Sequence, residues 1–263
     1  MNQLDAKSVV VGVNGSQAAV NAAKWAIDEA LSRRMPLRLV YVIPVVPGRE
    51  PRIGSAPTSE WELERAEMAL SQASCAVQSA AHGKGRPVEV ETAVLSGDPA
   101  QVLVNESQDA ALVCVGTARR GRASDGLLGP TAAALVARAQ CPVAVIRTNP
   151  DGTPTKLGVI AVVLNDEPDN DEVVHQAMEE GRRRHATVRQ IDRRVNSWVR
   201  RYPDVPVQTV AAGTGVTSGE RQSGAIELAV VGSTDADEIA GLAVPNCHPI
   251  VGYPDCSVLV VRH

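Results

Sequence analysis

Residues 115–136 read VGTARRGRASDGLLGPTAAALV, with Gly116, Gly121, Gly126 and Gly129 set between an apolar run and an Ala-rich stretch. Glycines placed this way let a backbone approach a phosphate closely. A helix opening near Gly129 would also aim its free N–H groups and the positive end of its dipole at an anion. The same glycines could instead serve turns. Two residues bear on the choice: Arg119 stands where a cradle favours a small side chain, and Pro130 has no N–H to give. Pro suits the first helical turn, however, and Thr131 brings an N–H and a hydroxyl one position later. A second short loop, NGS at Asn14–Ser16, leaves an apolar run that ends at Val13.

Other groupings are weaker. HGKG at His82–Gly85 lacks the spacing and the Ser or Thr of a P-loop and reads as a helix-ending turn. EEGRRRHATVRQIDRR (residues 179–194) is basic enough to suggest an anion surface, but a solvated helix face is the simpler reading. His175, His185, His248 and His263 show no paired metal-ligand spacing. No Ser/His/Asp set is identifiable, so no catalytic activity is expected. Cys75, Cys114, Cys141, Cys247 and Cys256 form an odd, scattered set without a CxxC, which argues against a disulfide framework or zinc site and for buried structural thiols.

The elements that would position the glycine stretch follow from periodicity. Ser8–Val13 (SVVVGV) is a continuous β-branched run, as in a parallel strand buried on both faces. Ser16 can N-cap a helix with Val20, Ala23, Ile27, Ala30 and Leu31 on one face. A strand at Leu37–Ile43 and a Pro/Gly-rich loop lead to a helix with Leu63, Ala66, Leu70, Ala73 and Val77 in register. Val88–Leu95 alternates as a third strand, and Asp98 with Pro99 is a sound helix start. ALVCVG and CPVAVIR supply the fourth and fifth strands, with a helix from Pro130 to Ala139 between them. Strands alternating with helices predict an α/β doubly wound parallel sheet with right-handed crossovers.

The second half repeats the first. SGDPAQVLVNESQDAALVCVG is matched by AGTGVTSGERQSGAIELAVVG, with Gly97 and Gly116 as far apart as Gly213 and Gly232. CPVAVIR is matched by CSVLVVR, and VVVGVNGS by VIAVVLND, followed by a helix with Val174, Ala177, Met178 and Gly181 inward. The second copy is shorter, missing the long loop and much of the helix after strand two. Two tandem doubly wound domains, residues 1–148 and 155–263, are expected, joined through RTNPDGTPTK with its Pro, Gly and Asn breakers. With strand order 3-2-1-4-5, the order reverses between strands one and four. A doubly wound sheet binds its ligands at that point, and there the NGS loop and the glycine stretch converge.

Composition limits the partners. The chain has 263 residues, 44% of them hydrophobic, enough for real cores. A net charge of −4 and 2% aromatics without Phe give no electrostatic or stacking reason for a nucleic-acid partner. No apolar run approaches the roughly 20 residues that span a bilayer, so no membrane partner is expected. The N-terminus lacks a charged, apolar and cleavable leader pattern, and a cytoplasmic location is expected.

VVVGVNGS, the LLGPT stretch and CPVAVIR resemble the universal stress protein family in its tandem, actinobacterial form. The resemblance is strong over residues 1–148 and faint over 155–263. It implies a Rossmann-like fold of the adenine nucleotide alpha hydrolase-like kind and an adenine nucleotide as ligand, ATP with Mg²⁺, bound for a stress or dormancy response. The family's nucleotide-binding fingerprint is Gly, two residues, Gly, nine residues, Gly, then Ser or Thr, with an Asp after the first strand. Here Gly116 and Gly129 match the first and third glycines, while Arg119, Pro130 and Asn14 depart from it. Asn14, after Val13, would keep an acceptor for ribose or adenine without the charge. Arg119 would either obstruct the phosphates or bind them bidentately. By the same resemblance Val42 would hold the adenine edge through its backbone, and Ala118 and Gly121 would line the loop. TDADEIAG after the second copy's VVGS has acidic residues where phosphates would lie, so binding there looks lost. Family members pair through the last strand, a pairing a tandem chain can make internally. The resemblance therefore also admits a homodimer or a regulatory protein partner, and an alternative in which the protein works by interaction without nucleotide.

Overall fold

The computed structural model describes residues 7–45, 60–83, 85–118, 128–149, 151–154, 158–162, 170–190, 200–209, 226–233 and 256–262. Five strands of the first half are β1 (Ser8–Val13), β2 (Leu37–Pro44), β3 (Val90–Gly97), β4 (Ala110–Ala118) and β5 (Val143–Thr148). Their helices are α1 (Gln17–Arg33), α2 (Glu60–Gly83), α3 (Pro99–Glu106) and α4 (Pro130–Arg138). The second half supplies β6 (Val159–Val162), α5 (Asn170–Arg184), β7 (Thr187–Gln190), β8 (Val207–Thr209), β9 (Ile226–Val231) and β10 (Ser257–Val260). Among the described residues these strands form one ten-stranded sheet, β3-β2-β1-β4-β5-β10-β9-β6-β7-β8.

Each half thus has the expected 3-2-1-4-5 order, one the mirror of the other. Within each half the ladders are parallel, and the sole antiparallel junction among the described strands is β5 with β10, Val145 opposite Val258 and Val143 opposite Val260. The repeat extends to irregularities. The β1–β4 ladder shifts register between Ser8 and Val9, and the β6–β9 ladder shifts at the matching place, between Val159 and Ile160. Arg34 and His185, each one residue past a helix, both take the left-handed conformation, φ 56° and 53°. Between β7 and β8 lie residues 191–206, against residues 45–89 between β2 and β3, which is where the second copy is short.

Local rules explain the elements near the site. Ser16 caps α1, its hydroxyl accepting from the Ala19 N–H at 3.2 Å, and Val20, Ala23, Ile27 and Ala30 are buried on the sheet. Asp98 caps α3, accepting from the Gln101 N–H at 2.8 Å, with Pro99 in the first turn. One core joins α1, α2 and α5 to the sheet, and α3 and α4 pack in a second, so the sheet is covered on both faces. No helix among the described residues is long and apolar enough to cross a membrane.

The structure corrects several expectations. The third strand runs Val90–Gly97 rather than from Val88, because its ladder begins where β2 does, Leu37 opposite Val90. Leu63 is 43% exposed; the buried stripe of α2 starts a turn later, at Ala66. Cys75 is exposed, whereas Cys114, Cys141 and Cys256 are buried thiols; Cys247 lies outside the described residues. Burial pushes Cys141 up to about 11 and Cys114 well above the ordinary thiol range, so neither is a nucleophile at neutral pH. The start of the linker is a built turn. Asn149 accepts the Gly152 N–H and donates its own N–H to the Thr153 carbonyl, and Thr148 bridges Pro154. Asn21 of α1 anchors this turn, donating to Thr148 Oγ1 at 3.0 Å and to the Gly152 carbonyl at 3.1 Å.

Candidate functional site

β1 is shorter than its neighbours at the carboxyl end. Its ladder with β2 stops at Val13 opposite Tyr41, while the β2–β3 ladder runs on to Pro44. On the other side the β1–β4 ladder stops at Gly12 opposite Val115, while β4 continues beside β5 to Ala118. The overshoot leaves a notch above β1 at the point where strand order reverses. Val42–Pro44 of β2 form one wall, Gly116–Ala118 of β4 the other, and Val13 and Asn14 lie at its floor.

The sequence-predicted residues fall around this notch in different ways. Asn14 is exposed and closes an Asx turn, its Oδ1 accepting from the Ser16 N–H at 3.1 Å, which spends one acceptor position locally. Val42 is buried in β2, one residue past the end of the β1 ladder, so its backbone is the part that can meet a ligand. Gly116 packs against α1: a Cβ there would collide with the Ala18 carbonyl and the Ala19 nitrogen, so it is a contact between strand and helix. Ala118 is exposed at the end of β4. Gly129 is the N-cap of α4, in extended conformation without a side-chain capping bond, and an added Cβ would meet nothing within 4 Å among the described residues. Pro130 fills the first position of α4 and Thr131 follows, half-buried. The first N–H groups of a helix have no partner within it, so α4 presents the donors of Thr131 and Ala132 beside an uncluttered glycine. Arg119 and Gly121, and the acidic stretch of the second copy, lie outside the described residues.

A second polar concentration was not legible as a site. Arg183 and Arg184, read from sequence as part of a solvated face, turn inward to two fully buried carboxylates, Glu29 of α1 and Glu180 of α5. Arg183 Nη1 bridges both acids, 2.6 Å from Glu29 Oε1 and hydrogen-bonded to Glu180 Oε1. Arg184 donates to Glu29 Oε1 at 2.8 Å and to Glu180 Oε2 at 2.7 Å, and its guanidinium lies 4.0 Å from the Trp25 ring centroid. Of the three consecutive arginines, Arg182 follows the solvated reading, paired with Asp204 at the surface. Burial, then the neighbouring Glu180 charge, pushes Glu29 up to about 7. Burial also acts to raise Glu180, but Arg184 and Arg183 outweigh it and hold that carboxyl below its usual range. One signal could have exposed the pair: the offset that maps Asn14 onto Asn165 also maps Glu29 onto Glu180 and Arg33 onto Arg184.

Comparison with known proteins agrees with this architecture. Residues 6–147 match the Universal stress protein family. Universal stress protein Rv2624c of Mycobacterium tuberculosis is 38% identical, over 97% of this chain and 96% of its own. Universal stress protein Rv3134c of the same organism is 37% identical over 92% and 94%. The crystal structure of a universal stress protein from Archaeoglobus fulgidus superposes with a TM-score of 0.69 at 13% identity, covering 97% of this chain and 96% of that one, a likeness of fold alone.

Proposed function

The chain belongs to the universal stress protein family, and on that premise we propose that its N-terminal half binds an adenine nucleotide in the notch above β1. The observation that carries the reading is the overshoot of β2 and β4 past β1 beside the start of α4, whose N-cap Gly129 makes no side-chain bond. Backbone groups from Val42 would take the adenine edge, Asn14 the ribose, and the N–H groups after Gly129 the phosphates of ATP, with Mg²⁺ as companion cation. Arg119 would add charge to the phosphate side. The residues fit binding rather than turnover, and the bound state would bias a slow stress or dormancy response in the cytoplasm.

A calorimetric titration of the nucleotide-stripped protein with ATP and Mg²⁺, with mass spectrometry of co-purifying small molecules, tests the proposal. One site at about micromolar strength, about −8 kcal/mol, is expected. Absence of both heat and co-purifying nucleotide overturns it in favour of a second reading, a stress protein that works by pairing with itself or a regulatory partner. That reading draws on the Asx turn, which already uses the Asn14 oxygen, and on Pro130, which removes a donor from the cradle.

A further inference from the structure

α1 and α5 lie on the same face of the sheet on either side of the β5–β10 junction, and long side chains rather than backbone bridge them. At the centre are two carboxylates, neither exposed to solvent. Glu29 Oε1 is claimed by Arg183 and Arg184. Among the described residues Glu29 Oε2 is buried without a hydrogen-bond partner, and Arg33 Nη2 stands 3.5 Å from it as an ion pair. Glu29 and Glu180 share the Arg183 Nη1 donor through their Oε1 atoms, so two buried like charges lie close together, and a proton taken up by Glu29 removes one of them. The charged and titratable groups facing Glu29 come from three elements. Asp28 and Arg33 are on its own helix, Glu180, Arg183 and Arg184 on α5, and Cys114 on β4.

We propose that the Glu29–Glu180 pair, clamped by Arg183 and Arg184 beneath the Trp25 ring, is a proton-operated catch between the two halves. With one proton in the pair α1 is locked to α5, and without it the seam between β5 and β10 loosens. The catch shares no residue with the notch: its carboxylates and guanidinia lie on α1 and α5.

The sign follows from linkage. Glu29 binds its proton more tightly folded, about 7, than in the open chain, near 4.5, so the closed seam holds the extra proton between those values. The stabilisation is full at the acidic end and is lost as pH rises through about 7. Glu180, held low, loses its contribution only at more acidic pH. From about pH 6 to about pH 8 the opening constant of the seam should therefore rise about tenfold.

Hydrogen exchange of the β5 and β10 amides, corrected for the intrinsic pH effect, measures that constant in the full chain. The expected result is an about tenfold rise in the wild type between those pH values and a flat profile in Glu29→Gln, which keeps the side chain uncharged. An unchanged wild-type constant, or the same rise in Glu29→Gln, overturns the proposal. Should Glu29→Gln fail to fold, a carbon-13 titration of glutamate carboxyls in the wild type decides. A midpoint above about 6 supports the catch, and all midpoints below about 6 overturn it.

Discussion

Gly116 and Gly129 occupy the two ends of one fingerprint but meet different surroundings. A side chain at Gly116 drives into the backbone of α1, whereas one at Gly129 meets nothing close among the described residues, on an ordinary extended backbone. Gly116→Val should cost about 3 kcal/mol in a urea unfolding series, by overpacking a rigid strand–helix contact. Gly129→Val should cost about 1 kcal/mol, since it replaces an acceptable N-cap by a poor one, yet remove nucleotide heat by filling the cradle. Loss of binding in Gly129→Val with its unfolding midpoint kept is thus informative about the notch, and loss of binding in Gly116→Val is not.

Caps and ladders set the notch at the scale of elements. α3 begins on the Asp98 carboxylate and lays Leu103 against Gly12, which has no room for a side chain because a Leu103 methyl occupies it. Asp98→Ala should lower stability by about 1 kcal/mol, read as a shift in thermal midpoint, without changing the strand order. These features were legible: Ser16, Asp98 and Pro99 are short-range chemistry, and the β-branched run of β1 announces a strand buried on both faces. The site was legible only as far as the loops that flank it. That Gly116 serves α1 depends on where α1 crosses β4, which no spacing along the chain contains. The inward turn of Arg183 and Arg184 escaped for a related reason. A run of three arginines reads as solvated until a partner such as Glu29 arrives from a distant helix.

For the whole molecule the antiparallel meeting of β5 and β10 matters most, because it makes one sheet from two repeats while the linker turn exposes Asp151, Thr153 and Pro154. A chain carrying a protease site in that turn, nicked at about pH 6, should still run as one species in size-exclusion chromatography, since strands and ion pairs hold the halves without the covalent link. Separation into two species would show that the seam contributes little. The join also releases the molecule from symmetry. Where two identical chains meet across a two-fold axis, every substitution appears twice. In this chain it appears once, and the halves have drifted apart around a shared plan. Trp25 receives the guanidinium of Arg184, whereas its counterpart Gln176 donates an amide to Glu180; Arg183 bridges both acids, whereas its counterpart Ser32 turns back to the Glu29 carbonyl. Covalent tandem linkage has let one half specialise without obliging the other to follow.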